Sequence, residues 1–192
     1  MGTHQSNQPQ SNELSSIAAL IERRSPACGS TKIVAVDGPN GAGKSTLASV
    51  LADELSAPVL AMTGIYRGVH GLFDGIDVLV DDVLKPIAIG EPGRHREWNW
   101  ARQAPGAVVD TPAAPVLIVD GAGSGARRAR IFSSVVVWVD ADEHLRYRRA
   151  LQRDGAELER WWEAWTRQEQ EYFAAEHPEA IADLRILTQP VA

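Results

Sequence analysis

Cysteine and lysine are both scarce in this sequence of 192 residues, which contains a single cysteine, Cys28, and only three lysines. One cysteine excludes an internal disulfide. No apolar run approaches the roughly 18 residues that a membrane-spanning helix requires. These shortages predict a soluble cytoplasmic protein that does not bind a membrane.

Positive charge is also limited, because acidic residues outnumber basic ones and the net charge is −6. Such a chain lacks the broad cationic surface with which proteins follow a nucleic acid duplex. We therefore expect no polymeric nucleic acid as a partner. A hydrophobic fraction of 44% in 192 residues is enough for one sizeable core, which favours a single α/β domain.

The composition changes over the first part of the chain. Residues 1–12 are rich in Gln, Asn and Ser, which predicts a disordered tail. Residues 13–30 carry apolar side chains at helical spacing and then Ser25 and Pro26, which predicts an N-terminal helix and a linker. Residues 31–192 would form the folded domain. The oligomeric state is left open, a homodimer included.

A glycine-rich segment matches the pattern G-x-x-x-x-G-K-[ST]. The residues before it, 33–36, are all apolar, as in a strand buried on both faces, and leucines recur behind it at helical spacing. This strand, loop and helix predict a phosphate-binding loop. The predicted loop residues are Gly38, Pro39, Asn40, Gly41, Ala42, Gly43, Lys44, Ser45 and Thr46.

Each type of residue in this loop has a chemical role in binding phosphate. Glycine has no Cβ, so successive backbone N–H groups can turn inward and approach a polyphosphate closely. The helix that follows directs its positive dipole end at the phosphates. Lys44 would neutralise the β and γ oxygens, and the Ser45 hydroxyl would coordinate Mg²⁺. The expected cofactors are therefore ATP and Mg²⁺.

A second apolar run, residues 116–119, ends in Asp120 and Gly121. An aspartate at the carboxyl end of a strand beside a phosphate loop can hold Mg²⁺ or polarise a nucleophilic hydroxyl. Asp120 is therefore a candidate metal ligand, together with Ser45, and a candidate catalytic residue.

Residues 135–139 predict a further strand, and Asp140 with Glu143 matches a capping box that would begin the next helix. That helix carries Arg146, Arg149 and Arg153. Their spacing places the three guanidinium groups on one helical face. The face is either solvated or a lid that closes over the phosphates, and we favour the lid because phosphoryl transfer requires cations there. The three arginines are thus candidate catalytic residues with Lys44.

Residues 86–115 contain no long periodic element but concentrate arginine and tryptophan. Arginine with tryptophan suits an aromatic base or an anionic group. A second interpretation is a β-hairpin flap whose tryptophans pack on the core. The loop after the apolar run 58–62 should line the same cleft, because ligands bind at the carboxyl ends of the strands. The candidate substrate residues are Tyr66, Arg94, Arg96, Trp98 and Trp100.

The last part of the domain predicts a helix over residues 157–173 and a short strand over residues 185–187. Trp161, Trp165 and Tyr172 recur on one stripe of that helix. We interpret this stripe as packing rather than as a ligand site.

Together the loop, the strand ending in Asp120 and the arginine helix resemble the uridine kinase branch of P-loop nucleoside and nucleotide kinases. The likeness extends over most of residues 30–188. It is closest to small bacterial uridine kinase-like ATP-binding proteins, which also carry an arginine-rich stretch ending in Trp-x-Trp, here residues 94–100. The resemblance implies a P-loop NTPase fold with a five-stranded parallel sheet of order 2-3-1-4-5 and helices on both faces. It also implies Mg-ATP and transfer of phosphate to a small hydroxyl acceptor.

The sequence departs from that family where the acceptor would be activated. Relatives carry one or two aspartates in a Met-Asp-Asp-x-Tyr pattern, whereas Thr63 and Gly64 stand there in this chain, and Asn99 replaces the acidic residue of Trp-Asp-Trp. The remaining candidates for a general base are Asp37, Asp74 and Asp120. Two functions stay open: a nucleoside or small-molecule kinase, and an ATP-binding or slowly ATP-hydrolysing protein without acceptor phosphorylation.

Overall fold

The computed structural model describes residues 11–189. Residues 1–10, most of the predicted disordered tail, lie outside the described residues, as do residues 190–192. Within the described part of the chain, no helix is both long and apolar enough to cross a membrane.

Seven strands are present in residues 11–189. They are β1 (Lys32–Asp37), β2 (Val59–Ala61), β3 (Gly93–Asn99), β4 (Ala104–Thr111), β5 (Val116–Asp120), β6 (Ser133–Asp140) and β7 (Leu184–Leu187). Five of them form one parallel sheet in the order β2-β5-β1-β6-β7, and β3 and β4 form a separate antiparallel pair. Numbered among themselves, the five sheet strands have the order 2-3-1-4-5. The expected sheet is therefore confirmed.

Helices connect these strands. They are α1 (Ser11–Arg23), α2 (Lys44–Leu55), α3 (Leu72–Val78), α4 (Lys85–Ala88), α5 (Arg127–Arg130), α6 (Glu143–Asp154), α7 (Leu158–Glu176) and α8 (Pro178–Ile181). A π-helical segment, Leu79–Leu84, joins α3 to α4, and single 3₁₀ turns lie at Met62–Gly64 and Gly155–Glu157.

Each face of the sheet is covered by its own set of helices. Side chains alternate along a strand, so Val34 and Val36 of β1 pack into one core with α1 and α2. Ile33 of β1 packs into the other core with α3, the π-helical segment, α5 and α7. A parallel sheet is normally buried in this way on both faces. Burial on both faces of the sheet explains why the strands appear in the sequence as uninterrupted apolar runs.

The start of α6 differs from the prediction. The predicted capping box began at Asp140, but β6 continues through Asp140 and the helix is capped by Asp142. The Asp142 carboxylate accepts from the backbone N–H groups of His144 at 3.0 Å and Leu145 at 3.3 Å. The cap lies two residues later because Asp140 still pairs with β7 in the sheet.

The sheet brings three loops to one edge. In the register of the sheet, Asp120 of β5 lies opposite Val36 of β1 on one side and opposite Ala61 of β2 on the other. The phosphate loop after β1, the loop after β5 and the 3₁₀ turn after β2 therefore begin side by side. Residues 93–111 form the β3–β4 hairpin, as the flap interpretation expected, but its tryptophans are not part of either core. Trp100 Nε1 at the hairpin tip donates to Thr63 O at 2.8 Å.

Candidate active site

These loops enclose a cavity of about 710 Å³ at the carboxyl edge of the sheet. Six elements form its wall: the phosphate loop, the turn after β2, the hairpin tip, the end of β5, and helices α6 and α7. The lining residues are Asn40, Gly41, Gly43, Lys44, Ser45, Thr46, Thr63, Tyr66, Val69, Trp100, Asp120, Gly121, Ala122, Arg149, Arg153, Asp154, Trp161, Trp165 and Glu169.

The glycines of the phosphate loop are required by its backbone. Gly38, Gly41 and Gly43 have φ angles of 139°, 79° and 102°, which residues with a side chain rarely adopt. A Cβ on Gly38 would lie 1.9 Å from Val139 O, and a Cβ on Gly41 would lie 2.2 Å from Arg146 O. The loop is therefore pressed against β6 and α6, where only glycine fits.

Lys44 begins α2 and lines the cavity, as predicted for the cation of a phosphate loop. Its Nζ donates to Pro39 O at 2.8 Å, across the loop. Burial lowers the pKa of Lys44, and the nearby carboxylates of Glu169, Asp120 and Asp37 oppose this effect, in that order. Three acidic side chains thus favour the charged lysine.

Asp120 lies next to Ser45, as expected for a shared metal site. Burial raises the pKa of Asp120, while a hydrogen bond with Ser45 and the charge of Lys44 lower it. Asp120 Oδ1 is buried and has no hydrogen-bond partner within residues 11–189. An orphaned carboxylate oxygen beside a hydroxyl fits Mg²⁺, which would satisfy it directly or through a water ligand.

The described residues contain no group of three or more His, Cys, Asp or Glu side chains that could enclose a metal by themselves. Mg²⁺ in phosphate sites usually takes one or two protein ligands and completes its shell with water and phosphate oxygens. Ser45 and Asp120 would be the protein ligands.

Asp37, the last residue of β1, is a residue whose role the sequence did not reveal. Its buried carboxylate accepts hydrogen bonds from the N–H groups of Gly38 at 2.6 Å, Gly123 at 3.0 Å and Gly125 at 2.9 Å. It also accepts from Tyr172 Oη of α7 at 2.7 Å. Asp37 does not line the cavity, so it positions the loops and is not placed to act as a general base. The sequence had left that role open for it.

Two of the three lid arginines reach the phosphate loop. Arg149 Nη1 lies 3.4 Å from Ala42 O, and Arg153 Nη2 donates to Asn40 Oδ1 at 3.2 Å. Both side chains line the cavity. They therefore lie where cations could contact bound phosphates.

Arg146 does not share this cavity, contrary to the expectation of a three-arginine lid. Its backbone packs against Gly41, and its side chain lies beside Asp140, with Nε 3.6 Å from Oδ1. Arg146 lines a separate cavity of about 290 Å³ behind the loop. In the first turn of α6 the side chain is held by the end of β6 rather than directed at the phosphates.

The candidate substrate residues fall into two groups, those that line the cavity and those that do not. Tyr66 and Trp100 line the cavity. Arg94 instead pairs with Asp110 at 2.6 Å across the hairpin, Arg96 donates to Gly106 O at 2.9 Å, and Trp98 packs beside Gly68. Both arginines thus contact strand β4 of the hairpin rather than the cavity. The binding interpretation therefore does not extend to Arg94, Arg96 and Trp98.

Helix α7 contributes a wall that the sequence assigned to packing alone. Trp165 is buried and belongs to the core, but it also lines the cavity, as do Trp161 and Glu169. The three recur every four residues and thus share one face of α7. The sequence contained one signal for this role of α7, namely the acidic residue Glu169 in an otherwise aromatic stripe. A carboxylate is rarely buried without a specific partner.

The sheet order, the phosphate loop and the aspartate at the end of β5 define the P-loop kinase fold. A possible uridine kinase from Bacillus stearothermophilus has this fold, with a TM-score of 0.65 at 17% identity over 91% of this chain and 97% of that chain. A candidate fructose transport system kinase from Silicibacter has a TM-score of 0.59 at 21% identity with the same coverage. The expected likeness to uridine kinase-like P-loop proteins is confirmed in the fold.

Similarity in sequence is concentrated around the phosphate loop. The profile of the cytidylate kinase family matches residues 34–85. The cytidylate kinase of Vibrio cholerae is 43% identical over 60 residues, which are 30% of this chain and 27% of that enzyme. That of Rhodococcus opacus is 38% identical over 65 residues, 33% and 28% of the two chains. The chain thus spans little more than a quarter of the length of these relatives, and the likeness in sequence is confined to the part of the chain around the phosphate loop.

The contact between Asp37 and Tyr172 leads to a prediction about stability. In Tyr172→Phe the buried carboxylate loses one of its four donors, which should lower the free energy of unfolding by about 1–3 kcal/mol. Urea denaturation would measure it. The matched control is Tyr147→Phe, because Tyr147 packs on Trp162 and removal of its hydroxyl breaks no hydrogen bond within the described residues. Equal stability of the two variants would contradict the role given to Asp37.

Proposed function

We propose that this protein is an ATP-dependent kinase that transfers the γ-phosphate of Mg-ATP to a hydroxyl group of a small, uncharged molecule. The observation that carries the proposal is the division of the cavity into a cationic end at the phosphate loop and an aromatic wall elsewhere. Each end suits one of the two substrates.

The cationic end suits the triphosphate. Lys44, Arg149 and Arg153 are the lysines and arginines among the described lining residues, and each contacts the phosphate loop. Positive groups positioned before the reaction stabilise the charge that develops during phosphoryl transfer. Mg²⁺, when held by Ser45 and Asp120, would neutralise further charge on the phosphates.

The aromatic wall suits an acceptor with a flat or ring-shaped body. It consists of Tyr66, Trp100, Trp161 and Trp165. Aromatic faces bury apolar surface and can stack on the flat face of a ring. Because the cationic side chains all lie at the loop, this wall offers no counter-charge for a phosphate on the acceptor. A nucleoside or a sugar therefore fits better than a nucleoside monophosphate.

A second function, nucleotide binding with slow hydrolysis, is favoured by one observation. Thr63 lines the cavity where relatives carry an aspartate, and a threonine hydroxyl does not accept a proton at neutral pH. Without another base, ATP would bind and transfer to the acceptor would be weak. The two functions differ in whether ADP formation depends on the acceptor.

A panel of acceptors tests the proposal. Purified protein would be incubated with Mg-ATP and, separately, uridine, cytidine, CMP and fructose, and the products identified by mass spectrometry. The proposal predicts phosphorylation of an uncharged compound, at a rate within the roughly 1–100 per second typical of kinases, and little or none of CMP. ADP formation that no acceptor accelerates would favour slow hydrolysis instead. Phosphorylation of CMP alone would contradict the uncharged acceptor.

Arg153 allows a test of charge stabilisation at the loop. In Arg153→Ala the guanidinium near Asn40 is lost, so kcat should fall by about 10²-fold or more while ADP binding changes little. The negative charge on the phosphate near Arg153 is largest in the transition state. Arg160→Ala is the control, because Arg160 is exposed and pairs with Glu157 outside the cavity. Equal turnover in both variants would show that Arg153 is only a solvated surface residue.

A further inference from the structure

A carboxylate lies between the aromatic wall and the phosphate loop. Glu169 of α7 is only 1% exposed and lines the cavity. Its Oε1 accepts from the backbone N–H of Asn40 in the loop and from Trp165 Nε1 in the wall, both at 2.8 Å. We propose that Glu169 accepts the proton from the attacking oxygen during phosphoryl transfer. This inference rests on the proposed function.

The other carboxylates of the cavity already have partners. Asp120, Asp154 and Glu169 are the acidic residues among the described lining residues. Asp120 is hydrogen-bonded to Ser45 and is the candidate metal ligand. Asp154 forms an ion pair with Arg153 at 2.6 Å. Both contact groups that would bind the nucleotide, whereas Glu169 accepts a hydrogen bond from Trp165 of the aromatic wall.

Acidic residues outside the cavity are less well placed. Asp37 is fully buried under four hydrogen-bond donors, and Asp74 is exposed on α3. Glu97 of the hairpin is the nearest carboxylate to Gly64, with Oε1 3.5 Å from the position of an added Cβ, but it is exposed and does not line the cavity. Glu97 therefore serves as the natural comparison for Glu169.

The position of Glu169 on α7 suits proton transfer. Trp161, Trp165 and Glu169 follow one another along one face of the helix, so the carboxylate lies at the loop end of the aromatic wall. A ring packed on the tryptophans could present a hydroxyl to Glu169 while that hydroxyl faces the γ-phosphate at the loop. A general base must lie within hydrogen-bond reach of the proton that it removes.

The surroundings of Glu169 also favour a base. Burial raises the pKa of Glu169, while Lys44, the hydrogen bonds from Trp165 and Asn40, and then Arg146 lower it. Tyr66 is a further titratable group near this carboxylate. A base is most effective when its pKa approaches the pH at which the enzyme works. The two hydrogen bonds fix the orientation of the carboxylate.

In the proposed step, a lone pair of the acceptor oxygen forms a bond to the γ-phosphorus. The bond from that phosphorus to the β–γ bridging oxygen breaks, and its electron pair leaves with ADP. The proton of the acceptor hydroxyl passes to the Glu169 carboxylate and is later released to water. When water replaces the acceptor, the same transfer yields phosphate, and in this proposal Glu169 takes the proton from the water.

Glu169→Gln separates this role from a structural one. The amide keeps the size of the side chain and an oxygen that can accept from Asn40 and Trp165, but it does not take up a proton at neutral pH. ADP formation from Mg-ATP would be measured with and without uridine or fructose. We expect a fall of about 10²–10⁴-fold, with ADP binding retained and the acidic limb of the pH–rate profile lost. Glu97→Gln should keep the wild-type rate.

The outcomes distinguish this inference from the proposed function. Wild-type ADP formation in Glu169→Gln would overturn the inference, as would loss of ADP binding, which would make Glu169 only an anchor of the loop. If ADP formation falls in the variant but is independent of the acceptor in wild type, Glu169 is the base and the kinase proposal fails. A fall in Glu97→Gln alone would assign the role to the hairpin.

Discussion

The site depends on one buried carboxylate that joins three segments of the chain. Asp37 accepts four hydrogen bonds, from the start of the phosphate loop, from the loop after β5 and from Tyr172 of α7. A buried charge is tolerated only when it is compensated in this way. The same contacts fix the relative positions of the phosphate loop, the end of the Asp120 strand and the helix that carries Glu169. Positioning of that kind is most of what a phosphoryl transfer enzyme requires from its fold.

The cavity separates charge from aromatic surface, and this separation follows from the topology. The phosphate loop and α6 supply the cations that line the cavity. The turn after β2, the hairpin tip and α7 supply the aromatic rings. Arg149 lies near the loop and also donates from Nη1 to Thr188 Oγ1 at 2.7 Å, so the segment after the last strand contributes to the cationic end. Nucleotide and acceptor can thus be recognised by different physical interactions in one space.

The sequence predicted the parts of the site that are local. The loop, its strand and helix, Asp120 and the sheet order depend on short patterns whose spacing determines which groups meet. The roles of Glu169 and Asp37 depend on contacts between residues far apart, 129 positions between Asn40 and Glu169 and 135 between Asp37 and Tyr172. Helical spacing could group the arginines of α6, but it could not reveal that Arg146 is held by Asp140. A local sequence pattern does not show which of several possible partners a side chain contacts in the folded protein.

Thermal stabilisation by Mg-ADP would show whether the phosphate loop binds a magnesium nucleotide. Binding to the folded state raises stability by RT ln(1 + [L]/Kd), about 2.7 kcal/mol at one hundred times Kd. We predict that wild type and Lys85→Ala, whose lysine pairs with Asp81 on the surface, are stabilised equally, and that Lys44→Ala is not. Equal stabilisation of Lys44→Ala would show that the nucleotide binds elsewhere and would contradict the account.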